Sequence, residues 1–119
     1  MIITLRIIFS LILLTMIVVT TTSSLLENMF KIPAVVTSDC WFRATLFDAY
    51  FGFLTFYCWV FYKERERGWI SRVIWFILIM LLGNMAMAAY MLIKLFKISA
   101  NDSIALLLLN ERAANGLKQ

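Results

Sequence analysis

The sequence predicts an all-α membrane domain with three transmembrane helices. Hydrophobic residues make up 63% of the 119 positions and charged residues only 15%, whereas soluble domains average roughly 45–50% and about 25%. A soluble fold this small has too much surface for its volume to hide so much apolar material. The apolar residues also fall into three runs with at most one interior charge each, all near the length needed to cross about 30 Å of hydrocarbon. One domain accounts for the whole of 1–119.

The first span is expected over about 2–22, with Arg6 its only charge. An Arg ahead of an apolar block also fits a secretory signal, but Thr20, Thr21, Thr22, Ser23 and Ser24 do not form an A-x-A-like cleavage site. A retained helix, with Arg6 snorkelling to the interface, is therefore expected. The second span covers about 42–63 and contains one charge before Lys63, Asp48, apart from Arg43 at its edge. The third covers about 70–96, and its interior from Val73 to Ile93 is uncharged.

Between spans one and two, Pro33 argues against a continuous helix, and an interfacial segment is expected. Thr37 or Ser38 is the candidate N-cap of span two, with Asp39 in its first turn. Spans two and three are expected to form a tight antiparallel hairpin around Lys63–Gly68, with Gly68 as C-cap. Asn101 or Asp102 can cap a short helix in the tail, 99–119, which is expected to lie on the surface. Positive charge near the membrane divides five against four: Arg6, Lys63, Arg65, Arg67 and Arg72 against Lys31, Arg43, Lys94 and Lys97. That bias points to a plasma or inner membrane protein with its N-terminus and the 63–72 hairpin cytoplasmic and its C-terminus outside.

Asp48 and Asn84 each lie eighteen residues from Glu66, so an antiparallel hairpin turning there brings them to similar depth. Asp48, Gly52, Thr55, Trp59 and Tyr62 form one helical stripe. Gly83, Ala86, Tyr90 and Lys94 form another, with Asn84 beside it. Small residues admit close helix packing and polar ones bond across it, so Gly52, Thr55, Gly83 and Ala86 are expected at the span two–span three contact. An intramembrane acid is expensive and is either paired or functional. Asp48 with Asn84 and Tyr90 is accordingly the candidate binding site for a proton, cation or polar lipid.

Histidine is absent, which removes the commonest general base and metal ligand. Cys40 and Cys58 lack CxxC partners. No metal, cofactor or catalytic residue is expected, nor a nucleic-acid partner, since no basic stripe carries interleaved aromatics.

The run from Asp39 to Tyr57, followed by Trp59-Val60, Tyr62-Lys63-Glu64, Trp75 and Leu81-Leu82-Gly83-Asn84-Met85-Ala86, resembles a family of small membrane proteins known as domain of unknown function 1475. The resemblance implies a multi-span membrane protein with no assigned activity, substrate or cofactor. The functional expectation is a non-enzymatic structural or accessory component working through helix–helix association in the lipid bilayer, as a homo-oligomer or a subunit of a larger complex. The alternative is a small carrier built on Asp48, Asn84 and Tyr90.

Overall fold

The structure, a computed structural model, describes residues 1–118. Two long helices carry it, α1 (Ile2–Leu26) and α3 (Cys40–Lys63). At 1.5 Å per residue they are about 37 and 36 Å long, and both are long and apolar enough to cross a membrane.

The chain between them breaks where its polar residues can satisfy the helix ends. Glu27 adopts an extended conformation and closes α1. Asn28 accepts the Phe30 N–H, and Pro33 opens the short α2 (Ala34–Thr37). The cap of α3 differs from the expected one. Asp39 itself is the N-cap, accepting the Phe42 N–H at 2.9 Å. The hydroxyls of Thr37 and Ser38 instead turn back to the carbonyls of Ala34 and Val35.

The largest correction concerns the third span. Residues 70–96 do not form one helix but two, α4 (Trp69–Leu82) and α5 (Asn84–Phe96), separated by Gly83. Neither exceeds about 21 Å, short of the hydrocarbon thickness. They fold back on each other, for the rings of Trp75 and Tyr90 lie 4.7 Å apart. On one straight helix those residues would be separated by about 22 Å. Gly83 makes the reversal with φ +56° and ψ −125°, a combination that a side chain strongly disfavours.

Helix α4 runs back along α3. Tyr57 stacks edge-on with Phe76 at 5.0 Å and its hydroxyl donates to the Arg72 carbonyl at 3.1 Å. The apex at Gly83 rests against the Phe53 ring, ten residues before Lys63 and so only about 15 Å along α3. The α4–α5 hairpin therefore reaches partway up the long helix. Helix α5 descends against α1, where Arg6 donates to the Leu95 and Ile98 carbonyls and Thr20 meets the Met85 sulfur. Arg6 thus caps α5 in addition to any interfacial role. The extensive packing of α1 is with α5, not with α3.

The turn after α3 also differs from expectation. Glu64 ends α3, a 3-10 turn covers Arg65–Arg67, and Gly68 at φ +90° starts α4. The tail does not lie free on the surface. Helix α6 (Ala105–Leu108) buries Leu107, and α7 (Glu111–Lys118) is capped by Asn110 through the Ala113 N–H. Asp102 accepts the Ser99 N–H rather than capping α6. Lys63 donates to the Leu106 and Leu109 carbonyls, Trp59 to that of Leu108. The tail, the 63–72 turn and Arg6 consequently share one end of the molecule, contrary to the expected separation of hairpin and C-terminus.

If the apex depends on the Gly83 backbone, Gly83→Ala should lower stability by about 1–3 kcal/mol. Thermal unfolding of the detergent-purified protein measures this. A Cβ at Gly83 would also meet the Phe53 ring at 2.6 Å, so adding Phe53→Leu should recover the steric part of the loss and leave the backbone part.

Candidate functional site

The α4–α5 hairpin is held at its open end by one carboxylate. Glu64 is only 1% exposed although it stands in a run of five consecutive charged residues. Its Oε1 accepts from the Tyr90 hydroxyl at 2.9 Å and from the Lys94 ammonium, and its Oε2 accepts from the Ser71 hydroxyl at 2.8 Å. Arg67 Nε lies 3.9 Å from Oε2. These donors come from the first turn of α4 and the last turns of α5, so a single side chain at the end of α3 ties three helices together. Tyr90 and Lys94 are four residues apart on α5 and point from the same face.

Tyr90 is fully buried. Trp75, Trp59 and Phe56 surround it with ring centroids 4.7, 5.7 and 6.1 Å away, all near perpendicular. Edge-to-face arrangements of this kind place positive ring edges on negative faces. Val60, Ile79 and Ala86 complete the cluster.

Burial by itself raises the Glu64 pKa, because a charged carboxylate is disfavoured away from water. The hydrogen bonds from Lys94, Ser71 and Tyr90, with the Lys94 charge, outweigh that effect and hold it below its ordinary 4.5. A carboxyl group with a lowered folded-state pKa stabilises the fold above its unfolded pKa, and that stability is lost as pH falls through the folded value. With both oxygens hydrogen-bonded and the side chain 1% exposed, Glu64 locks the three helices together.

The residues expected to form a site are dispersed. Asp48 on α3 and Asn84 at the hairpin apex are both exposed, and neither bonds to the other or to Tyr90. The Tyr90 hydroxyl goes to Glu64 instead. Gly83 and Ala86 are buried at helix contacts, Gly83 against Phe53 of α3. Gly52 and Thr55 are not at that contact. A Cβ at Gly52 would meet nothing within 4 Å, and the Thr55 hydroxyl bonds only to the Phe51 carbonyl of its own helix. Cys40 and Cys58 are free and exposed. Among the described residues no group of three His, Cys, Asp or Glu side chains could hold a metal ion.

Sequence reasoning places Tyr90 and Lys94 on one helical stripe but assigns no role to Glu64 or Ser71. The available signal was the i, i+4 pair Tyr90–Lys94, a phenol and a cation on one face of an otherwise apolar run.

The family model described as "Protein of unknown function (DUF1475)" matches residues 1–115. The chain belongs to this family. No curated protein and no solved structure matches it. The family match extends from α1 into α7, so the Glu64 lock and the helices it joins all lie within the family unit.

Removing a buried ion-pair partner leaves the other charge uncompensated. Glu64→Gln is expected to cost about 3–5 kcal/mol, and the loss in the Glu64→Gln, Lys94→Met double variant should fall well short of the sum of the two single losses. Stability of the parent should decline on acidification below about pH 4.5, while Glu64→Gln shows a flatter profile there. Denaturation midpoints measured from pH 7 to pH 3 test both.

Proposed function

We propose that this chain is a two-span integral membrane protein, non-enzymatic, that serves as a structural or accessory subunit by associating laterally with a second copy. α1 and α3 cross the bilayer, and α4–α5 enters to partial depth and returns. Such a segment is tolerated in lipid when its backbone is internally satisfied and packed in protein. The hairpin fits, since at its apex the Gly83 N–H reaches the Ile79 carbonyl and the Met87 N–H reaches that of Gly83.

The reading rests on the bare polar stripe of α3. Asp48 lies about 12 Å from the start of that helix, inside the hydrocarbon once the spans are centred. Together with Gly52 and Thr55 it faces away from the protein. An ionisable group there costs up to about 2.5–3.5 kcal/mol when it faces acyl chains. Apposing the same stripe of another α3 removes it from the acyl chains, and Gly52 allows the backbones to approach. Because α1 packs on α5 and leaves α3 aside, no span of the same chain covers this face.

Charge supports a topology with both ends on one side. Arg6, Lys63, Arg65, Arg67, Arg72, Lys94, Lys97 and Arg112 gather at the end that holds the turn and tail, against Lys31 and Arg43 at the other. The larger group marks the cytoplasmic side.

Reporter fusions at the two ends of the chain should therefore report the same compartment, and opposite signals would refute the two-span topology. In a Cys40→Ser, Cys58→Ser background, Gly52→Cys should yield a disulfide-linked dimer on mild oxidation in membranes, and Asp48→Leu should reduce it severalfold. A Gly52→Cys protein that remains monomeric while the protein is monomeric in detergent would defeat the association reading.

A further inference from the structure

The same end of the molecule holds a cavity that adjoins the Glu64 lock and shares Lys94 and Arg67 with it. It has a volume of about 210 Å3 and lies between the 63–67 turn, the end of α5 and the returning tail. One water needs only about 10–15 Å3 by this measure. Lys63, Arg67, Lys94 and Lys97 line it, with Asp102 and Glu111. Lys94 is already paired with Glu64, so four cations against three carboxylates leave a surplus of one positive charge.

Both lining carboxylates are engaged: Glu111 accepts from Arg67 Nε at 2.9 Å and Asp102 accepts the Ser99 N–H at 2.9 Å. The cations retain donors. Lys97 is exposed and makes no hydrogen bond or ion pair with the described residues, and Arg67 donates only through Nε, so its two terminal nitrogens are uncommitted. Lys63 uses two of its three protons on the Leu106 and Leu109 carbonyls. Like charges held this close repel unless a counter-charge sits among them.

We propose that this cavity binds the phosphate group of an anionic ligand. A phosphate monoester carries about −1.5 to −2 charge at neutral pH, enough to meet the surplus. Its oxygens accept from several directions at once, and the free pair of Arg67 nitrogens suits a two-point contact with it. A half-open pit of this size also suits a compact group better than a polymer, which would need an extended basic track. The phosphate has two sources, a soluble phosphate compound or the headgroup of an anionic lipid. Basic pockets at the cytoplasmic ends of helices recognise the latter. Only the lipid source rests on the membrane reading above.

The test follows thermal unfolding of the full chain in two settings. In detergent, sodium phosphate is titrated against sodium chloride at matched ionic strength. In phosphatidylcholine nanodiscs, phosphatidic acid is included or left out. A saturable rise in Tm is expected in at least one setting. Lys97→Gln should not lower the ligand-free Tm and should raise the apparent dissociation constant about tenfold, as loss of one charged contact predicts. Lys31→Gln, at the opposite end, should change neither. Stabilisation by inorganic phosphate identifies a soluble ligand, and stabilisation by phosphatidic acid alone identifies a lipid headgroup. The proposal is overturned if neither stabilises the protein, or if Lys97→Gln responds like the parent. Dimer formation through Gly52→Cys reads α3 alone, so failure of either proposal is seen separately.

Discussion

Glu64 sits where three helices meet, and almost every other feature of the molecule follows from satisfying it. A carboxylate buried to this degree is unfavourable unless its oxygens are filled. The donors that fill them, Ser71, Tyr90 and Lys94, are 19 and 23 residues apart in sequence on either side of Gly83. They can converge on one carboxylate only if α4 and α5 fold back on each other. The ion pair and the reversal at Gly83 are two ends of the same constraint. The lock holds the open end of the hairpin while the glycine permits its closed end.

Between those ends the packing is aromatic. Tyr90 places its hydroxyl on Glu64 and its ring among Trp75, Trp59 and Phe56. One side chain thereby couples the polar lock to the apolar cluster. Helix α1 joins through α5 by a different device, with the Arg6 guanidinium closing on the carbonyls of Leu95 and Ile98 and lying over the Phe96 ring. The tail is held by the same logic, as Lys63 and Trp59 donate to the otherwise open carbonyls at the end of α6. Cations at this end of the molecule act repeatedly as caps for helix C-termini, where carbonyls lack partners.

Concentrating caps at one end also produces the cavity between turn, α5 and tail. Lys63 and Lys94 are drawn together because each serves a separate structural partner, and Arg67 and Lys97 join them as neighbours. The opposite end of the molecule is plain by comparison, since α3 above Phe53 has only the short α2 beside it and its polar stripe uncovered. The two ends thus divide the proposed roles: charged recognition where the helices converge, lateral association where they separate.

The all-helical character, the two long apolar helices and the break at Pro33 were legible from periodicity and composition. These are local properties, set by side-chain spacing and by the need to pair every backbone group. The number of spans was not legible, because an uncharged run of 21 residues from Val73 to Ile93 satisfies a length criterion whether it is straight or folded in half. What separates the two is the sign of one φ angle at Gly83, which a glycine takes either way without penalty. Nor could sequence show that Glu64 is buried rather than solvated among its charged neighbours, since its partners arrive from a hairpin whose existence is itself a tertiary fact. Local chemistry determined which segments are helical and apolar. Only three-dimensional packing decided which way the last of them turns, and with that which charges end up facing one another.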